Sequence, residues 1–199
     1  MSVNGIKKVS FDYYVLLFFL VSFLGWLWEV GIYLVREGRF VNRGILFGPW
    51  LPVYGSGALF LYLLLRRWKR RPMFVFLISL TVCSLLEYLA GFFLEKAWGV
   101  RWWDYSGMLL NLNGHVCLMS SLMFGFGGLF LVFFLIPVYT GLYHRMPEKI
   151  RLTAGLLLLG LFVADAAYSA DFPNIGRGIT YRVWNADGAE ITCRKYPFF

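Results

Sequence analysis

Residues 13–35 read YYVLLFFLVSFLGWLWEVGIYLV and contain a single charged side chain, Glu29. A helix of about 20 predominantly apolar residues crosses the ~30 Å hydrocarbon core of a bilayer. The run therefore predicts a membrane-spanning helix. It follows Lys7 and Lys8, and its length and aromatic content favour an uncleaved first span over a cleaved signal peptide, which has a shorter apolar core.

The rest of the chain repeats this pattern. Of its 199 residues, 59% are hydrophobic, whereas soluble domains contain about 45–50% apolar residues. Four further apolar runs predict spans at about 46–65, 73–95, 114–140 and 152–169. The predicted fold class is an all-α integral membrane protein with about five transmembrane helices in one bundle, a polytopic domain at 1–169 and an extracytoplasmic tail at 170–199.

Basic residues are divided unequally between the two sides of this predicted bundle. One side carries ten, in RRWKRR (66–71) and at Lys7, Lys8, Arg145, Lys149 and Arg151, and the other carries five, at Arg36, Arg39, Arg43, Lys96 and Arg101. The positive-inside rule then predicts a cytoplasmic N-terminus and an outer tail. The tail sequence TYRVWNADGAEITCRKY (180–196) predicts a β-hairpin with its turn at Asn185–Gly188.

The net charge of +8 could suggest nucleic-acid binding. Because the positive charge is concentrated in short loops between apolar runs, orientation and contact with anionic lipid explain it better. The predicted partner is therefore the lipid bilayer and not nucleic acid. The RRWKRR loop could also dock a cytoplasmic partner.

Metal and catalytic motifs are not found in the sequence. Cys83 and Cys117 lie in apolar runs and read as small buried hydrophobes, while Cys193 could form an outer-face disulfide. The chain has no cysteine–histidine zinc spacing and no GxSxG, HExxH, Walker A or GxGxxG motif. No metal site is predicted, and the sequence identifies no cofactor.

Five ionisable residues in or beside the predicted helices fall at one depth, near the outer end: Glu29, Glu87, Asp104, His115 and Asp165. A charge at the centre of a membrane helix costs at least ~2.5–3.5 kcal/mol, so such groups face a bundle interior or a wet cavity. The predicted substrate- or ion-binding residues are Glu29, Arg43, Glu87, Asp104, His115, Trp26, Trp102, Trp103 and Asn113.

Helical spacing adds detail to this site. Trp26, Glu29 and Tyr33 share one helix face, which would give Glu29 an aromatic wall. Cys83, Glu87 and Gly91 share another, where Glu87 could face a closely packed backbone.

Each candidate also has a structural explanation. Arg43 could form a clasp with Glu29 or Glu87. Asp104 could cap a turn, and His115 could hydrogen-bond at a helix end. The aromatic cluster could be an interface belt, although six of the eight tryptophans lie toward the predicted outer face, which also suits an aromatic-walled cavity: Trp26, Trp28, Trp50, Trp98, Trp102 and Trp103.

Four stretches carry a resemblance to a known family: FLGWLWEV (23–30), FVNRGILFGPWLPVYGSG (40–57), LLEYLAGFFLEKAWGVRWWDYS (85–106) and NLNGHVCLMSSLMFG (111–125). The chain resembles the small bacterial membrane proteins known as putative ABC-transporter permeases of the CmpB type, over roughly residues 13–140 and with the fifth span included. The resemblance implies a polytopic protein of the bacterial plasma membrane with a role in transport. It places Glu29, Arg43, Glu87, Asp104 and His115 in the shared motifs without assigning them roles.

Three functions are compatible with these observations. The first is a permease- or channel-like component, which would need a separate ATPase subunit for ATP-driven transport because the chain has no ATP-binding motif. The second is an enzyme or lipid-handling protein at the outer leaflet, with acid–base groups at Glu87, Asp104 and His115. The third is a non-catalytic partner subunit or sensor. Gly125, Gly127 and Gly128 allow close helix approach, so a homo-oligomer is compatible with all three.

Overall fold

The computed structural model describes residues 10–38, 40–66, 68, 70–174, 180–184 and 190–194. The helices are α1 (Phe11–Glu37), α2 (Pro52–Leu65), α3 (Pro72–Trp98), α4 (Leu118–Phe130), α5 (Ile136–Arg145) and α6 (Glu148–Asp171). The strands are β1 (Val100–Arg101), β2 (Thr180–Trp184) and β3 (Glu190–Arg194).

Four helical segments are long and apolar enough to cross a membrane: α1, α3, α6 and the continuous segment Leu118–Arg145 that contains α4 and α5. They confirm that the first, third, fourth and fifth predicted spans are helices. The ends of these helices differ from the predicted ends by one to five residues. The fifth predicted span, 152–169, therefore lies within a helix long enough to cross the membrane.

The second predicted span, 46–65, needs correction, because only Pro52–Leu65 is helical. A helix of 14 residues rises about 21 Å, less than the ~30 Å hydrocarbon core. Residues 46–51 are non-helical, and Pro49 cannot donate a helical hydrogen bond. Pro52 starts the helix in the first turn, where a missing N–H is tolerated, as the sequence predicts.

A π-helical turn, Leu131–Leu135, joins α4 to α5, whose second residue is Pro137. Proline has no N–H, and its ring clashes with the carbonyl four residues earlier. The wider π turn accommodates this ring without ending the helix. One continuous span therefore runs from Leu118 to Arg145.

Small residues bring the helices close together. A Cβ built on Gly55 of α2 would overlap the Ser22 hydroxyl of α1, and one built on Gly128 of α4 would overlap Ser79 of α3. Such small-residue contacts let helix backbones approach in a membrane. The central apolar core beside them consists of Ala58, Leu61, Leu65, Val75, Leu131, Val132 and Ile136.

One end of the bundle is held together by tyrosines. Tyr13 of α1 packs against Tyr62 of α2 and Tyr143 of α5, with ring centroids 5.6 and 5.0 Å apart. The Tyr143 hydroxyl donates to Asp12 at 2.8 Å, and Arg151 Nε lies 3.5 Å from the same carboxylate. These contacts join the first turn of α1 to the end of α5 and the start of α6.

The two ends of the bundle differ in character. The end of α2, the start of α3 and the connection between α5 and α6 lie at the tyrosine end, which we call the basic end. The connections 38–51 and 99–117 lie at the opposite end, which we call the loop end.

The strands lie at the loop end. β1 pairs antiparallel with β2, with Val100 opposite Tyr181, and β2 pairs antiparallel with β3, with Tyr181 opposite Cys193. The predicted turn at Asn185–Gly188 lies outside the described residues. The pairing with β1, which the sequence does not predict, ties the tail to the connection that follows α3.

The perimeter of the bundle is strongly apolar. On α6, Leu156, Leu157, Leu161 and Val163 are each at least 60% exposed. Contiguous apolar surface of this kind is rare on soluble monomers, and lipid is the environment that favours it. The chain is an integral membrane protein.

Candidate functional site

A cavity of about 1470 Å³ lies between α1, α2, α3 and α4 and is bordered by the two loop-end connections. Most of its lining is apolar or aromatic, and its charged lining residues are Glu29, Arg43, Glu87 and Asp104. Trp102 and Trp103 also line it. Six of the nine predicted site residues thus surround one space.

Glu29 and Arg43 form an ion pair on one wall of this cavity. Arg43 Nε lies 3.5 Å from Glu29 Oε2, and the Tyr54 hydroxyl donates to Glu29 Oε1 at 2.7 Å. Arg43 also donates to the Trp102 carbonyl at 2.6 Å, and its guanidinium lies 4.4 Å from the centre of the Tyr33 ring. The predicted counter-ion role of Arg43 is confirmed for Glu29, and these contacts hold the loop against α1.

Glu87 is held differently. Its side chain is 91% buried, and Oε1 accepts a hydrogen bond from the Tyr105 hydroxyl at 3.1 Å. Its second oxygen, Oε2, is buried without a hydrogen-bond partner among the described residues. Ser120 lies near this carboxyl, but its hydroxyl donates to the Cys117 carbonyl at 3.0 Å. One carboxylate oxygen of this cavity-lining residue therefore has unused acceptor capacity.

A buried charge cluster lies behind the cavity wall. Arg101 Nε donates to Glu95 Oε1 at 2.9 Å, and His115 Nε2 lies 3.1 Å from Glu95 Oε2. Arg101 also reaches Asp104 Oδ1 at 3.4 Å. Gly114 has φ of +73°, and a Cβ there would occupy the space of Arg101 and Asp104. The cluster fixes the shape of the connection after α3.

Asp104 is stabilised in its ionised form by these contacts. Burial alone would raise the pKa of its carboxyl, but hydrogen bonds from the Ser106 hydroxyl and backbone N–H, together with nearby Arg101, lower the pKa below its usual value. Asp104 therefore contributes a negative charge to the cavity wall that Arg101 offsets.

Sequence reasoning missed Glu95. It lies in the last turn of α3, where the helix dipole disfavours an acidic side chain. An acidic residue at that position indicates a tertiary partner, and this signal could have drawn attention to it. Gly91, which is predicted to share a helix face with Glu87, packs closely against His115 and Trp103.

The remaining three predicted site residues lie outside the cavity lining. Trp26 Nε1 donates to Asn42 Oδ1 at 2.7 Å, and Asn113 Nδ2 donates to the Tyr88 hydroxyl at 3.0 Å. His115 belongs to the charge cluster. All three hold the loop-end connections in place. The side chain of Trp98 lies outside the described residues.

Asp165 anchors the connection between α1 and α2. It accepts hydrogen bonds from the backbone N–H groups of Phe47 and Gly48, at 3.0 and 2.8 Å, and from Trp50 Nε1 at 2.8 Å. Asn174 adds to this anchor by donating to the Gly44 carbonyl at 3.1 Å. Both oxygens of the Asp165 carboxylate therefore already accept hydrogen bonds from this connection.

We expect Asp165→Ala to destabilise the protein by about 2 kcal/mol, because it leaves partly buried N–H donors without an acceptor. Thermal unfolding in lipid nanodiscs, followed by tryptophan fluorescence, measures this loss. Asp171→Ala, at the exposed end of the same helix, is the matched control and should unfold like the wild type. Equal melting temperatures for the two variants would contradict the anchoring role.

The loop-end connections reach deep into the bundle. Tyr105 and Asn113 contact Glu87 and Tyr88, which precede the last residue of α3 by ten residues or more. This separation corresponds to about 15 Å along the helix. The connection before α2 behaves similarly, because the Leu51 N–H donates to the Ser22 carbonyl of α1 at 3.0 Å. Non-helical backbone therefore borders the cavity well inside the helix ends.

The described part of the chain contains no group of three or more His, Cys, Asp or Glu side chains placed to hold a metal ion.

Comparison with known protein families identifies a family for most of the chain. A family model described as "Putative ABC-transporter type IV" matches residues 16–170. The match runs from α1 to the last turn of α6 and includes every charged residue that lines the cavity. Curated proteins and solved structures give no match.

Proposed function

The chain belongs to the family described as putative ABC-transporter type IV, which its motifs resemble, and on that premise we propose that it is a permease-like transport component with a solute site at Glu87. The family and the apolar helices both fit a membrane transport component. The single observation that carries the proposed site is Glu87, which lines the cavity and whose Oε2 is buried without a hydrogen-bond partner among the described residues.

Water in this cavity would support passage of a polar or positively charged solute. Non-helical backbone at membrane depth is stable only where protein buries it or where it lines a water-filled space. The connections 38–51 and 99–117 contribute such backbone to the cavity wall. A charged solute could therefore meet Glu87 and the Glu29–Arg43 pair without first crossing dry hydrocarbon.

The geometry favours solute binding over acid–base catalysis. The groups suggested for an enzyme are Glu87, Asp104 and His115. Asp104 pairs with Arg101 and His115 pairs with Glu95, whereas Glu87 contacts Tyr105. The three groups have different partners and do not converge on one reacting atom.

We propose a topology in which the basic end faces the cytoplasm and the loop end faces outward, in the plasma membrane of a bacterium. The positive-inside rule supports this direction, because residues 66–71 carry five Lys and Arg side chains. In this arrangement α2 and the connection before it together make the second of five crossings. A separate ATPase subunit would dock at the basic end, and an outer-side solute would enter from the loop end.

Two natural cysteines test the proposed site. Cys83 lines the cavity one helical turn before Glu87, whereas Cys117 is 2% exposed and does not line it. Cys117→Ser/Cys193→Ser leaves only Cys83, and Cys83→Ser/Cys193→Ser leaves only Cys117. The labelling rates of each variant with membrane-impermeant cationic and anionic thiosulfonates are measured in right-side-out and inverted vesicles.

We expect Cys83 to react from the outer side and faster with the cationic reagent, by roughly tenfold, because a charge one turn away acts at low effective dielectric. Adding Glu87→Gln should remove this preference, and Cys117 should react far more slowly. Failure of Cys83 to react from either side would rule out an accessible cavity. A cation preference that survives Glu87→Gln would remove Glu87 from the site.

A further inference from the structure

Glu87 differs from the other acidic residues that line the cavity, which are Glu29 and Asp104. Glu29 lies against Arg43, and Asp104 lies against Arg101. Glu87 has the Tyr105 hydroxyl on one oxygen, and no cationic side chain among the described residues forms an ion pair with it. A cationic solute group beside Glu87 would supply the ion-pair partner that the described residues do not provide.

Arg43, a cationic side chain that lines the cavity, already has several partners. Arg43 contacts the Glu29 carboxylate, the Trp102 carbonyl and the face of the Tyr33 ring. An anionic solute would have to displace these contacts and would also approach Glu87. The site thus disfavours anions for two separate reasons.

Most of the cavity is nevertheless apolar. Tyr54, which contacts Glu29, and Leu61, which belongs to the central core, both line it. They are seven residues apart on α2, so the cavity runs about 10 Å along that helix. The far part is lined by apolar side chains, including Leu131 and Leu135. A small hydrophilic ion would leave this part without favourable contacts.

The apolar lining also continues to the perimeter of the bundle. Trp28 of α1, Phe93 of α3 and Phe130 of α4 line the cavity and are each more than half exposed. Apolar side chains at the perimeter of a membrane helix face lipid. An apolar chain attached to a solute could therefore enter from the bilayer while its polar group reaches Glu87.

Building on the proposed function, we propose that the solute is an amphipathic cation, with an ammonium or guanidinium group at Glu87 and an apolar chain along the wall formed by Leu61, Leu131 and Leu135. The cationic group pairs with the carboxylate of Glu87, for which the described residues provide no ion-pair partner. The chain fills apolar space that water would occupy poorly.

Protection of Cys83 from N-ethylmaleimide, an uncharged reagent, tests this assignment in the full chain that retains only Cys83, reconstituted in phosphatidylcholine vesicles. Three probes share a dodecyl chain and differ in head charge: dodecyltrimethylammonium, zwitterionic dodecyldimethylamine oxide and dodecyl sulfate. Tetramethylammonium is the probe without a chain. All are used below concentrations that disrupt the vesicles, and the measured quantity is the concentration that halves the labelling rate.

We expect dodecyltrimethylammonium to protect at concentrations roughly tenfold or more below those of the other three probes. Glu87→Gln should abolish this difference among the dodecyl probes, while Glu148→Gln, an exposed carboxylate at the start of α6, should leave it unchanged. If Glu87→Gln fails to fold, the order of protection by the four probes in the chain that retains Glu87 still decides whether the solute is an amphipathic cation.

The other outcomes separate the two proposals. Equal protection by tetramethylammonium and dodecyltrimethylammonium would overturn the amphiphile and keep the cation site. Stronger protection by dodecyl sulfate, or equal protection by all dodecyl probes, would overturn the cationic head. A Cys83 thiol that never reacts would overturn both this inference and the proposed function.

Discussion

Arg101→Met is expected to destabilise the folded protein by about 3–5 kcal/mol, because removing one partner of a buried ion pair leaves uncompensated charge. The Arg101 side chain is 8% exposed and contacts both Glu95 and Asp104. Without it, the two carboxylates lie close together beneath the connection after α3. Thermal unfolding of the full chain in nanodiscs, followed by tryptophan fluorescence and by size-exclusion profile, measures the loss.

Lys96→Met is the matched control, because Lys96 is an exposed cation five residues earlier, near the face of Phe92. Its loss should change stability by no more than about 0.5 kcal/mol. The double variant Glu95→Gln/Arg101→Met should lose less than the sum of the single variants, since the two side chains act as one contact. Equal melting of the Arg101 and Lys96 variants would contradict the buried cluster.

The helices of this protein could be predicted well from the sequence, because four apolar runs are each long enough to cross hydrocarbon. The start of the second helix could not be predicted in the same way. An average over residues 46–65 counts Leu46, Trp50 and Leu51 as apolar whether or not they are helical. These side chains instead belong to a loop that packs against α1 and α6, and Pro52 marks the true start of the helix.

The candidate site could be predicted in outline. Glu29, Glu87 and Asp104 were expected at one depth because charge in a membrane helix needs a polar space, and all three line the cavity. The pairings could not be predicted, because loop geometry decides them: Arg43 reaches Glu29 rather than Glu87. Asp165 is predicted at the same depth, but its carboxylate accepts hydrogen bonds from backbone N–H groups of a loop.

The contact between α3 and α4 offers a sharper test of the fold. We expect Gly128→Ala to destabilise the protein by about 3 kcal/mol, because overpacking of a close contact costs about that amount when the neighbour cannot move aside. A Cβ at this position would overlap both Oγ and Cβ of Ser79, which is fully buried. A serine Cβ is fixed to its backbone, so only separation of the two helices could relieve the overlap.

The neighbouring glycine supplies the control. Gly127 is exposed, and a Cβ built there would find no atom within 4 Å. Gly127→Ala should therefore leave the melting temperature unchanged or raise it, since alanine favours a helix over glycine by up to about 1 kcal/mol. Opposite effects from two adjacent, chemically identical changes can come only from what each glycine faces. If Gly128→Ala were as stable as Gly127→Ala, α3 and α4 would not pack closely at Ser79. The arrangement of these two helices around the cavity would then be wrong.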